Sequence, residues 1–138
     1  MDISRPNIIN LPKVLDKRGN LSFLEGMHHV PFEIKRVYWI YDVPGGEKRG
    51  GHAYKENDEF IIALSGSFDV TLNNGDCEKV FHLNRSYYGL YVPRRYWRTM
   101  ENFSTNSLAL VVSSTEYLAE DYVRDYSVFM EMMGKVPK

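Results

Sequence analysis

Gly51-His52-Ala53-Tyr54-Lys55-Glu56-Asn57-Asp58-Glu59, running on into Phe60-Ile61-Ile62-Ala63-Leu64-Ser65-Gly66, is the stretch on which the fold turns. It sets an imidazole, a phenol, a carboxylate and a glycine along one line of chain. Residues two apart on a strand share a face, so His52 and Tyr54 should project together. Phe60–Leu64 is a short apolar run closed by Ser65-Gly66, which reads as a strand ending in a turn. Beyond it Ser67–Leu72 alternates, with Phe68, Val70 and Leu72 on one face and Asp69 and Thr71 on the other. Asn73-Asn74-Gly75-Asp76 follows, and Asn-Gly is the favoured pair for a tight type I′ hairpin. Lys79–Leu83 then returns as the partner strand.

The same rhythm extends both ways. Ile34–Asp42 is rich in β-branched and aromatic residues and stops at Pro44-Gly45-Gly46. Tyr87–Val92 and Leu108–Ser113 supply two further apolar strands. Turn signals about every ten residues suit a sandwich or barrel better than alternating β/α units. The tail changes period: Tyr122, Tyr126, Phe129 and Met133 recur at helical spacing, and Gly134 is placed to cap the end. An all-β domain over residues 1–138 is expected, with strands within 1–118 and a short C-terminal helix over 119–134. No repeat or linker divides it.

Composition narrows the function classes. The chain has 138 residues, enough for one domain with a real core. Its net charge of −1 lacks the basic excess of a nucleic-acid binder or of a protein drawn to anionic membrane. No apolar run approaches a membrane span, and MDISRPNIIN has no basic region followed by an apolar one, so a cytoplasmic location is expected. The single Cys77 cannot form an internal disulfide, which fits a reducing compartment. Aromatics are abundant, at 14% with ten Tyr, and tyrosine lines polar ligand pockets well because it joins area to a hydroxyl.

The spacing of His52, Tyr54, Glu59 and Gly66 is similar to the first cupin motif, in which two histidines and a glutamate bind a metal. Gly89 through Pro93 to Arg98 is similar to the second cupin motif, with Arg98 at the place of the last histidine ligand. A catalytic metal needs at least three protein ligands. Only His52 and Glu59 remain, and an arginine repels a cation. A jelly-roll barrel with no metal and no other cofactor is therefore expected. His28, His29 and His82 fall outside the motif, and His82 reads as a surface residue of an alternating strand.

The chain further resembles the WxcM-like, RmlC-type cupin family of dTDP-4-oxo-6-deoxy-D-glucose 3,4-ketoisomerases. The resemblance is carried by Asp16–Leu21, Pro31–Tyr38, Arg49–Lys55, Gly89–Val92 with Trp97, and Glu116-Tyr117 through Asp121–Tyr126. It implies a homodimer acting on a dTDP-linked 4-keto-6-deoxy sugar in deoxyamino-sugar biosynthesis, including that of lipopolysaccharide O-antigens. It also implies a 3-keto product passed to a PLP-dependent aminotransferase. Where the family usually carries two histidines, this chain reads His52-Ala53-Tyr54.

Moving a ketone from C4 to C3 requires loss of the C3 proton, an enediol(ate), and protonation at C4. Histidine is well matched to that proton near neutral pH, so His52 is expected to be the base. Tyr54 would hydrogen-bond or protonate the enediolate, and Glu59 would orient His52. For the pyrophosphate the candidates are Arg36, Arg49, Arg98 and Lys55, with Arg18 from the segment shared with the family. Tyr38, Tyr91 and Trp97 are candidates for stacking on thymine or sugar. A 3,5-epimerase on the same barrel and a non-catalytic sugar-nucleotide-binding cupin are the competing readings.

Overall fold

The computed structural model describes residues 2–135. Among the described residues, eleven longer strands and one two-residue strand form the frame of the fold. They are β1 (Asn7–Asn10), β2 (Lys13–Asp16), β3 (Gly19–Ser22), β4 (Arg36–Tyr41), β5 (Arg49–Tyr54), β6 (Glu59–Ser65), β7 (Phe68–Asn73), β8 (Glu78–Leu83), β9 (Tyr88–Val92), β10 (Trp97–Glu101), β11 (Leu108–Ser113) and β12 (Tyr122–Val123). One antiparallel sheet has the order β1-β9-β6-β11-β4 and the other β12-β5-β10-β7-β8, while β2 and β3 pair only with each other. The two sheets are not joined edge to edge, so the jelly roll is a sandwich rather than a closed ring of strands.

The core explains why β6 reads as an unbroken apolar run. Ile61 and Ala63 face the interior, against Phe68, Val70 and Leu72 of β7 and Met100 of β10. Phe60 and Ile62 face the opposite way and are covered by Leu11, Val30 and Phe32 of the segment that precedes β4. A strand buried on both faces loses its alternation. β7, covered on its inner face, keeps the expected one: Phe68, Val70 and Leu72 are buried, with half-buried residues between. Gly66 turns the chain out of β6 with φ +68°, and an added Cβ would lie 2.8 Å from the Ser107 Cα. Only glycine meets both demands without strain.

Two local expectations are corrected. The β7–β8 connection is not a type I′ turn. It is a four-residue loop in which Gly75 has φ +97° and Asn74 stays out of the left-handed region. Asn73 Oδ1 accepts from the Gly75 N–H at 2.7 Å, and Asn74 Oδ1 accepts from the N–H groups of Asp76 and Cys77. Side-chain acceptors thus shape the loop in place of a two-residue turn.

The tail is not one helix over 119–134. Ala119–Asp121 is a single 3₁₀ turn, Tyr122–Val123 is β12, and the α-helix α1 spans Tyr126–Met132. β12 takes the free edge of β5, with Tyr122 opposite Tyr54 and Val123 opposite Ala53, so sheet pairing overrides the helical spacing. Asp125 caps α1 by accepting from the Ser127 N–H at 2.8 Å. Gly134, with φ +74°, closes it in a Schellman arrangement, as its N–H reaches the Glu131 carbonyl and the Lys135 N–H that of Met130. Phe129 anchors the helix on Ala53 and Val123.

Candidate active site

The cavity that matters opens where the sandwich is unsealed, between β4 at the edge of one sheet and β5 with β12 at the edge of the other. It measures about 530 Å³ and is lined by His52, Tyr54, Tyr38, Arg36, Arg49, Arg98, Trp39, Ile40, Lys48, Gly50, Gly51, Tyr117, Tyr122 and Arg124. Every charged side chain on that lining is a cation. A larger hollow of about 930 Å³ lies elsewhere, walled by Pro31–Glu33, Tyr91 and Arg94–Tyr96. Its wall groups Arg94 and Tyr91 are satisfied internally: Arg94 is held by Asp58 and Glu56, and the Tyr91 hydroxyl donates to the Ile3 carbonyl. Buried nitrogens without partners sit at the smaller cavity, at His52 Nε2 and Arg36 Nε, besides Asn57 Nδ2 in the turn after β5. Orphaned buried polar atoms are uncommon and point to a missing partner, so the smaller cavity is the candidate site.

β5 places His52 and Tyr54 on one face as their spacing requires. His52 pairs with Arg98 of β10, and Arg49 with Met100, so β5 carries one extra residue between those pairs. The bulge falls at Gly50, where φ is +76° and an added Cβ would lie 3.1 Å from Arg98 Nη1. The rings of His52, Tyr54 and Tyr122 meet in a cluster, with centroids 4.9, 5.1 and 4.7 Å apart. The Arg124 guanidinium lies 4.2 Å from the centre of the Tyr122 ring. Arg36 lies 5.7 Å from the rings of both Tyr38 and Tyr117.

Beneath this cluster runs a buried polar network. Tyr38 donates its hydroxyl proton to Glu59 Oε2 at 2.5 Å and accepts from Arg98 Nη2 at 2.6 Å. Ser113 Oγ donates to the same Glu59 oxygen at 3.3 Å. Arg98 Nε lies 2.8 Å from Glu59 Oε1, a Coulombic contact off hydrogen-bond alignment. Glu59 is 0% and Arg98 2% exposed. Burial opposes the Arg98 charge most strongly, but the Glu59 carboxylate together with Tyr38 and Tyr54 outweighs it and raises the pKa.

His52 responds oppositely. Burial, followed by the charges of Arg98, Arg124 and Arg36, lowers its pKa from 6.5 to about 3, so it is neutral at physiological pH. Tyr54 and Tyr38 are pushed above the usual phenol range, first by burial and then, with Arg98 pulling the other way, by the nearby Glu59 charge. Both hydroxyls keep their protons. The cavity thus holds a neutral imidazole, protonated phenols and unpaired positive charge. That set can accept a proton from carbon, hydrogen-bond an oxyanion and hold a polyanion.

His52, Tyr54, Arg36, Tyr38, Arg49 and Arg98 come together as sequence reasoning required. Glu59 does not orient His52: its oxygens are engaged by Tyr38, Ser113 and Arg98. Arg98 is no free fork for phosphate, because its charge is committed to Glu59 and Tyr38. Trp97 precedes Arg98 on β10 and therefore faces the other way, onto Tyr126 and Phe129 of α1. Tyr91 faces away from the core between inward Leu90 and Val92, and packs near Phe32. Lys55 lines a separate hollow with Glu116 and Leu118. Arg18 lies exposed at the turn of the β2–β3 hairpin, paired with Asp16 at 2.9 Å.

Tyr122 and Arg124 are wall residues that the helical spacing had drawn into a helix, and Tyr117, Lys48 and Trp39 had carried no site signal. Among the described residues no three His, Cys, Asp or Glu side chains are grouped to hold a metal ion. None of their helices is long and apolar enough to cross a membrane.

Comparison with known proteins agrees with this geometry. The chain is 37% identical over 129 residues to the TDP-4-oxo-6-deoxy-alpha-D-glucose-3,4-oxoisomerase of Aneurinibacillus thermoaerophilus, covering 94% of this chain and 93% of that one. It is 43% identical to the TDP-quinovose 3,4-ketoisomerase of Campylobacter jejuni, with a TM-score of 0.88 over 91% of this chain and 97% of that one. A mutant 3,4-ketoisomerase of Thermoanaerobacterium thermosaccharolyticum, solved with TDP-4-keto-6-deoxyglucose, superposes with a TM-score of 0.91 at 34% identity over 93% of each chain. The dTDP-4-dehydrorhamnose 3,5-epimerase of Bacillus anthracis shares the fold alone, at 14% identity and a TM-score of 0.75 over 88% of this chain and 79% of that one. The family described as FdtA, WxcM-like, C-terminal matches residues 4–134, and the chain belongs to that family.

Proposed function

We propose that the protein is a sugar-nucleotide 3,4-ketoisomerase that converts TDP-4-keto-6-deoxyglucose to a TDP-3-keto-6-deoxyhexose. The observation that carries this reading is the neutral, unpartnered His52 imidazole beside two protonated phenols in a cavity whose charged lining is wholly cationic.

The ketoisomerisation moves one proton between carbons and one between oxygens. His52 takes the C3 proton, the electron pair becomes the enediolate double bond, and the C4 oxygen takes up negative charge. Tyr54 donates a hydrogen bond to that oxygen. The C3 hydroxyl proton passes to the C4 oxygen, and collapse from the C3 oxygen then lets C4 receive the proton from the His52 imidazolium, leaving a ketone at C3 and a hydroxyl at C4. A free His52 with so low a pKa is a weak base. The diphosphate supplies what is missing: held by Arg36, Arg49 and Arg124, it offsets two of the charges that depress His52. Substrate binding therefore raises the basicity of the group that attacks it. Tyr117 and Tyr122 supply faces for the sugar and thymine.

A homodimer fits the exposed apolar residues Val14, Leu15 and Leu21 on the β2–β3 hairpin and Val37, Trp39 and Tyr41 on β4. An unpacked two-stranded hairpin is marginal in water, and a second copy would cover it. We place it in the cytoplasm and in deoxyamino-sugar assembly, as for an O-antigen, since a PLP-dependent aminotransferase that installs a 3-amino group takes a 3-keto sugar.

Incubation with TDP-4-keto-6-deoxyglucose in deuterated water, followed by NMR, tests the reading. A ketone moved to C3 with exchange at C3 or C4 is expected, and His52→Asn should abolish it. Label at C3 and C5 would instead make the protein an epimerase, and no exchange would leave only binding.

A further inference from the structure

We infer that Asp121 is a positioning residue for the isomerisation, a clasp that holds the Tyr122–Arg124 wall of the cavity in place from outside the cavity. The inference rests on the ketoisomerase reading for the ligand it names. The wall belongs to the segment between β11 and α1, which supplies Tyr117, Tyr122 and Arg124. Its regular pairing with the sheet is only the two-residue β12. So short a ladder does not fix a segment by itself.

Asp121 stands immediately before β12 and is 6% exposed. Its Oδ1 accepts from the Glu56 N–H at 2.7 Å and its Oδ2 from the Asn57 N–H at 3.2 Å. Its main-chain carbonyl accepts from the Lys55 N–H at 3.0 Å. The clasped residues form the turn between β5 and β6, which is flanked by Tyr54 and Glu59. Asn57 Oδ1 completes the clasp, accepting from the N–H and the hydroxyl of Thr115 at 3.1 Å each, at the start of the wall segment.

No cation among the described residues lies within ion-pair distance of the Asp121 carboxylate. Its service is as an acceptor for two backbone donors at once, which an asparagine amide performs only by half. Beyond the clasp, the Tyr122 ring lies against His52 and Tyr54, with Arg124 over it. Loosening Asp121 therefore loosens a phosphate-facing cation and a sugar-facing ring together, without touching either.

A double-mutant cycle on TDP binding tests this in the intact protein, with calorimetry on the wild type, Asp121→Asn, Arg124→Ala and the double variant. Asp121→Asn should weaken TDP by about tenfold, in keeping with the loss of one hydrogen bond to a charged group, and raise KM more than it lowers kcat. The double variant should bind TDP less weakly than the product of the two single effects, because Asp121 acts through Arg124. Unchanged affinity in a folded Asp121→Asn protein, or strictly multiplicative effects, would overturn the inference. Should that variant not fold, hydrogen exchange on the wild type decides: TDP should slow the Glu56 and Asn57 amides, and unaltered rates refute the clasp. If the wild type itself binds no TDP, the ligand assignment fails instead.

Discussion

Replacing Glu59 by glutamine removes one charge and almost no volume, and it isolates the energetics of the site floor. Arg98 would then lie 2% exposed with its charge opposed by nothing. Tyr38 could still donate to the amide oxygen, so the chief loss is the Coulombic contact at 2.8 Å. Removing one partner of a buried pair costs about 3–5 kcal/mol, because the remaining charge stays desolvated. For a chain of this size each kcal/mol moves the melting temperature by roughly 3–5 °C, so a fall of about 10–25 °C is expected. The double substitution Glu59→Met with Arg98→Met should recover most of that loss, since apolar side chains of similar length need no counter-charge. Urea unfolding followed by tryptophan fluorescence measures both. Equal destabilisation in the single and double variants would refute the reasoning, because it would make the cost one of packing.

The residues around this floor carry the remaining expected outcomes. Tyr54→Phe should keep TDP affinity and reduce kcat by about tenfold or more, through loss of a hydrogen bond that strengthens on the enediolate; single-turnover kinetics measure it. Folded His52 has its pKa depressed from 6.5 to about 3, so the unfolded chain binds the proton more readily. Stability should therefore fall as pH drops from 6.5 toward 3, with the contribution complete above 6.5. Bound TDP should move the His52 titration upward by NMR. Arg36→Ala should weaken TDP by tenfold or more, whereas Trp97→Phe should lower the melting temperature and leave KM unchanged, because Trp97 packs under α1.

Much of this architecture was legible in the chain because alternation is a local property. Phe68, Val70 and Leu72 declare an inward face, and His52 with Tyr54 declare another. The same rule, applied strictly, would have excluded Trp97 and Tyr91 from the cavity. Trp97 adjoins Arg98, and Tyr91 stands between two core residues, so neither can share its neighbour's face. The tail was less legible. Tyr122, Tyr126 and Phe129 keep helical spacing, and nothing local announces that the free edge of β5 claims Tyr122 and Val123. Glu59 misled for a similar reason: proximity in a motif suggested His52 as its partner, while its nearest donors come from β4 and β10, which are remote in sequence.

Gly50 bears on how this site can change. Arg49 and His52 are an odd number of positions apart, so on a regular strand one of them would point to solvent. The extra residue lets both enter the cavity, uniting an anion holder and a proton acceptor on one strand. Replacing Gly50 by a β-branched residue, which resists a φ of +76°, would flatten the bulge, keep every functional side chain in the gene and yet part those two across the sheet. Backbone conformation, as much as side-chain identity, is under constraint there.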